Sequence, residues 1–104
     1  MIARIWRGVT PESKADRYFH YMMATGVKDY RETEGNRGVL VFRRLSEGCA
    51  EFLLVSLWES WDAIRRFAGP DVDRAVYYPE DREYLLELEP RVAHYELLGE
   101  AGRR

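Results

Sequence analysis

The chain has 104 residues, enough for one domain whose core buries between about 60% and 70% of the unfolded surface, and too few for a second domain of ordinary size. Sixteen basic and eighteen acidic side chains leave a net charge of −2 with no dense basic block, which argues against a surface that tracks nucleic-acid phosphates. Cys49 stands alone, so an intrachain disulfide and a cysteine-rich metal site are excluded, in keeping with a reducing compartment.

Residues 2–8 alternate and meet Gly8, predicting a first strand with Ile2, Arg4 and Trp6 on one face and Ala3, Ile5 and Arg7 on the other. Charges inside this segment make it neither a signal peptide nor a membrane span, so a cytoplasmic protein without membrane association is expected. Thr10-Pro11-Glu12 predicts a helix start: Thr10 as cap, Pro11 at the first helical position and Glu12 at the positive end of the dipole. Ala15, Tyr18, Phe19, Met22 and Met23 recur at three- and four-residue spacing and form one apolar stripe, with Gly26 as the stop.

A short helical turn and loop are expected over 27–35, followed by strand character at Val39-Leu40-Val41-Phe42. Ser46-Glu47-Gly48 predicts a hairpin into a strand over 50–58. Its Phe52-Leu53-Leu54-Val55-Ser56-Leu57-Trp58 run is apolar on both faces, so it needs cover on both. The chain's own helices can cover one face; a second copy of the chain is the natural cover for the other, predicting a homodimer through the sheet faces. Ser60 caps a helix through Phe67, Gly69-Pro70 breaks it, and Asp71 opens a short piece through Tyr77. A further helix is expected from Pro79 to Leu88, and a last strand over 92–98.

This order is the ferredoxin-like βαββαβ plan of an α+β domain over residues 1–98, with a four-stranded antiparallel sheet; the tail 99–104 is expected to be mobile. With the N-terminal strand ending in Trp6-Arg7, the Leu57-Trp58-Glu59-Ser60 junction and the segment Phe67 to Tyr78, the chain resembles the antibiotic-biosynthesis-monooxygenase-like family of dimeric α+β barrel proteins. The resemblance implies two sheets joined face to face, with a pocket between each sheet and its own helices. It also implies one of three activities: cofactor-independent oxygenation of an aromatic, phenolic or quinone-like small molecule, non-catalytic ligand binding or stress response, or haem degradation. Haem-degrading members use an Asn, a Trp and a haem-ligating His where this chain has Trp6, Phe67 and Tyr77. All three differ, so no cofactor is expected.

The resemblance and the residue chemistry together select the candidates. Trp6, Trp58, Phe67 and Tyr78 offer flat surfaces for a planar ligand, and Tyr77 adds a directing hydroxyl, although ordinary core accounts for each taken singly. His94, with Val92, Glu96 and Leu98 on its face, is the candidate base for a phenol; a hydrogen bond across a subunit interface is the plainer account. Arg4 holds either an acidic ligand or a carboxylate such as Glu51 or Glu96, and Asn36 either orients a ligand or serves its turn. Glu80, Asp81 and Glu83 read as a solvated helix start. His20 falls at a helix edge, and two unpaired histidines argue against a metal site.

Overall fold

The computed structural model describes residues 1–102, and its first strand, β1 (Ile2–Pro11), alternates buried and more exposed positions along its length. It runs past Gly8, where the sequence suggested its end, because the third strand pairs with it as far as Pro11 opposite Cys49. Thr10 is therefore a buried strand residue whose hydroxyl donates to the Pro11 carbonyl, and it caps no helix. Pro11 leads into a 3-10 turn, Glu12–Lys14, and α1 (Ala15–Ala24) begins only at Ala15.

On α1 the stripe buries Ala15, Tyr18 and Met22, leaves Phe19 at the rim and turns Met23 outward. Gly26 is not a stop. The chain bends at Thr25, whose hydroxyl bonds back to the Tyr21 carbonyl at 2.8 Å, and Gly26 opens a second helix, α2 (Gly26–Glu32). β2 (Asn36–Ser46) and β3 (Cys49–Trp58) form the expected hairpin. Glu47 and Gly48 both have positive φ, as a tight hairpin turn of matching twist requires.

Ser60 caps α3 (Trp61–Ala68), its hydroxyl accepting from the Ala63 amide at 3.1 Å, and the helix ends at Gly69 with φ 86°. Beyond it the two expected helical pieces change, while the last strand is present in shortened form. The piece over Asp71–Tyr77 is not helical: it is a turn and a single bridge between Arg74 and Arg91, with the Ala75 amide on the Pro90 carbonyl and the Val92 amide on the Asp73 carbonyl. The helix expected over Pro79–Leu88 is one turn, α4 (Asp81–Tyr84), because Leu85 is extended and the Leu86 amide donates to Val9 of β1 instead. The last strand, β4 (Ala93–Glu96), pairs with β1 over Ile2–Ile5. Residues 99–102 carry no regular structure, and 103–104 of the expected tail lie outside the described residues.

The sheet order is β2-β3-β1-β4, antiparallel throughout, with the helices against one face. That inner face carries Arg4, Trp6, Phe52, Leu54, Ser56 and Trp58, all buried. The opposite face presents Ile5, Leu53, Val55, Leu40, Phe42 and Tyr95 by strand parity, and Leu40, Phe42 and Tyr95 are each more than half exposed. Among the described residues, no helix is long and apolar enough to cross a membrane.

Candidate functional site

Parity of β1 aims Arg4 and Trp6 into the layer between sheet and helices, and the irregular segment after α3 crosses over them. Trp6 has room there because Gly8 lies directly beneath its ring, where any Cβ would collide with the indole. A cavity in this layer is lined by Trp6, Leu54, Tyr18, Tyr30, Tyr78 and Asp81, with Met22, Thr25, Gly26 and Val76 closing it. Its volume is about 20 Å³, room for roughly one water. Val76 and Tyr78 also line a groove outside it of about 330 Å³, so this segment is the wall between the two spaces.

Of the candidates from the sequence, Trp6 and Tyr78 meet at this cavity. Tyr77 stands behind Trp6: its hydroxyl accepts from the indole Nε1 at 3.3 Å and donates to the Glu89 carbonyl. Burial raises the Tyr77 pKa. Trp58 and Phe67 pack with Tyr30 into one aromatic cluster, the Tyr30 and Phe67 centroids 4.5 Å apart, and Trp58 is fully buried with its Nε1 donating to Ser56. Asn36 lies apart from them at a bulge between β2 and β3. There its side chain accepts from the Gly38 amide and donates to the Leu57 carbonyl, the turn-type role.

Arg4 is 1% exposed, and neither Glu51 nor Glu96 is its partner. Glu51 is taken by Arg7 and Arg44 on the other face. The Arg4 guanidinium instead donates to the Val72 and Arg74 carbonyls, stands over the Phe67 ring, and meets His94 Nε2 at 3.1 Å. Because a guanidinium only donates, Nε2 accepts, which places the imidazole proton on Nδ1 facing Asp73 at 2.9 Å. Burial, then the Arg4 charge, lowers the His94 pKa against the opposing pull of Asp73. Both ring nitrogens are thus engaged away from the cavity.

The acidic trio separates. Asp81 is 4% exposed while Glu80 and Glu83 remain in solvent, so the solvated helix start holds for the two glutamates alone. The Asp81 Oδ1 accepts from the Tyr18 hydroxyl at 3.0 Å and its Oδ2 from the Tyr78 amide at 2.6 Å. Burial raises its pKa, with both hydrogen bonds opposing. Tyr18 was visible in the sequence as core and Tyr30 carried no periodic signal. Asp81 differs from its acidic neighbours in being three residues after an amide that needs an acceptor.

A haem does not fit these residues. Tyr77 is bonded on both sides with a raised pKa, and His94 has no free nitrogen, so neither offers the iron an axial ligand. Among the described residues, no group of three or more His, Cys, Asp or Glu side chains comes together to hold a metal ion.

The sheet order and the layer of helices define a ferredoxin-like α+β fold, one shared with solved structures of antibiotic-biosynthesis-monooxygenase-like proteins. Among solved structures, a putative antibiotic biosynthesis monooxygenase from Bacillus cereus matches with TM-score 0.70 and 16% identity, over 100% of this chain and 97% of that one. Rv0793 from Mycobacterium tuberculosis matches with TM-score 0.63 and 21% identity, over 97% and 98% of the two chains. The haem degrader MhuD from the same organism, with two haems bound in its active site, matches with TM-score 0.62 and 16% identity over 98% and 100%. At these identities the likeness carries the fold and leaves activity to the site. No family model and no curated protein matches the sequence.

Proposed function

We propose that this chain is a homodimeric small-molecule-binding protein of the antibiotic-biosynthesis-monooxygenase type that oxygenates a phenolic or quinone-like ligand without a cofactor. The observation that carries the reading is the cavity itself: three tyrosines, one tryptophan and one buried carboxylate facing a single space between sheet and helices. Such a lining offers flat apolar surface to a ring and holds a group able to take a proton. A substrate of this kind supplies its own electrons. A ring-activated CH₂ becomes C=O with one oxygen atom of O₂, and its two hydrogens leave with the other as water.

An aromatic ring needs more room than one water, so binding requires the wall to move. Tyr78 is the side chain to move: its ring borders both spaces, and its hydroxyl is tethered to Asp29 Oδ2 at 2.7 Å at the surface. Swinging it outward joins the cavity to the outer groove. In this reading Trp6 and Tyr78 touch the ligand, Tyr77 fixes Trp6, and Arg4, Trp58, Phe67 and His94 hold the wall and floor; Asn36 holds the bulge at the sheet edge. The uncovered apolar sheet face supports the dimer, since Leu40, Phe42 and Tyr95 would otherwise remain in water.

Oxygen uptake by the purified protein with a panel of phenols and anthrone-like CH₂ compounds tests the chemistry, and native mass spectrometry tests the dimer. Uptake with one-to-one product formation supports the proposal. Ligand binding with no uptake would instead establish the non-catalytic reading. A wild-type monomer of 12.3 kDa would overturn the dimer.

A further inference from the structure

We propose that Asp81 is the proton acceptor of the cavity and its specificity determinant, selecting planar ligands that present a phenol-type or enol-type hydroxyl. The inference rests on the small-molecule reading above and assigns the group that reading requires. Three features of the structure point to Asp81.

Its position comes first. Asp81 lines the cavity together with Trp6, Tyr30 and Tyr78, whereas the other titratable candidates, His94 and Tyr77, are committed elsewhere. Its bonding comes second. An ionised carboxylate offers about four acceptor sites, and the Tyr18 hydroxyl and the Tyr78 amide use one on each oxygen, leaving capacity on both. Both donors are neutral, so neither quenches the charge as an arginine would. Its surroundings come third. A turn-stabilising aspartate at a one-turn helix is ordinarily left in solvent, as Glu80 and Glu83 are, yet this one is buried among aromatic rings. Burial also raises its pKa, which narrows the gap to a phenol and makes the transfer less uphill.

The step is a simple proton transfer. The ligand hydroxyl donates to a free lone pair of Asp81; its O–H bond breaks as an O–H bond forms on the carboxylate oxygen. A ligand anion then lies beside a neutral carboxylic acid. No oxidant takes part in this step. Tyr18 has a positioning role, because its hydroxyl competes with the ligand for Oδ1.

Phenol and its O-methyl ether, anisole, are the probes, titrated into the full chain and followed through the Tyr78 amide by two-dimensional NMR. The wild type should bind phenol roughly tenfold or more tightly than anisole, the value of a charge-assisted hydrogen bond. Asp81→Asn should bring the ratio near one. Tyr18→Phe, which frees Oδ1 and keeps the ring, should raise the preference for phenol, and it supplies the test should Asp81→Asn fail to fold. Equal binding of the two probes by the wild type, or a ratio that neither variant moves, overturns the role of Asp81 and leaves the cavity reading standing. Binding of neither probe overturns both.

Discussion

Arg4→Met isolates what the buried guanidinium does, because methionine keeps most of the apolar stem and removes the donors together with the charge that stands over the Phe67 ring. Two charge-assisted hydrogen bonds, to the Val72 and Arg74 carbonyls, are lost together with the contact to His94. Each is worth about 1.5–3 kcal/mol net. Two effects reduce the sum. The carbonyls sit on a half-exposed segment where water can replace the donor, and the variant no longer buries a charge whose Nε has no partner. The expected net loss is about 2 kcal/mol, a decrease in Tm of about 10 °C for a domain of this size. The loss should be concentrated in the segment Arg4 grips. Amide exchange at Ala75 and Val92, whose partners are Pro90 and Asp73, should accelerate more than exchange on β3. Urea denaturation and site-resolved hydrogen exchange measure both quantities. A loss below about 0.5 kcal/mol, or acceleration spread evenly over the sheet, would show that the guanidinium does not tether this wall.

Gly8→Ala should be destabilising because its methyl group drives into the Trp6 ring, and should lower affinity for any cavity ligand further than an exposed Gly→Ala change such as at Gly99; fluorescence titration of the two variants separates the effects. Ser56→Ala leaves the buried Trp58 Nε1 without its acceptor and should cost about 1–3 kcal/mol by denaturant titration, with Ser56→Thr recovering part of it. Ser60→Ala removes the α3 cap and should cost about 1 kcal/mol, an amount that Ser60→Asp restores.

Much of this architecture is readable from strand parity and local chemistry. The alternation of β1 and the two-faced β3 place Arg4, Trp6, Phe52 and Trp58 on one face, and the Ser60 cap and the Glu47-Gly48 turn follow from their own side chains and backbone requirements. What eludes the sequence is decided by distant partners. Thr10 and Gly26 carry the local marks of a cap and a stop. Pairing with Ala50 keeps Thr10 in the strand, and at Gly26 the helical chain only bends and resumes. Residues 71–92 have no period because their main chain is satisfied by single contacts to β1 and to one another, such as Leu86 on Val9. Asp81, unlike Glu80 and Glu83, is buried, and that burial depends on Tyr18, 63 positions away, folding against it.

The cavity wall is held at one end by Arg4, His94 and Asp73 and at the other by Tyr18, Asp81 and Tyr78, and these ends respond to pH with opposite sign. Burial lowers His94 from 6.5, so between its folded pKa and about 6.5 the unfolded chain binds the extra proton, and stability rises with pH across that window. Burial raises Asp81 from 3.8, so between 3.8 and its folded pKa the folded chain binds the extra proton, and stability falls as pH rises. The two windows extend toward each other, one downward from about 6.5 and one upward from 3.8, and their slopes have opposite sign. Glu51, lowered by Arg7 and Arg44, adds a rise with pH that is common to every variant and cancels in differences. Subtracting the stability curve of His94→Gln from that of the wild type should therefore leave a curve that climbs toward pH 6.5. Subtracting that of Asp81→Asn should leave one that descends from pH 3.8. Difference curves of the same sign, or flat ones, would mean that the two ends of the wall do not titrate as their burial requires.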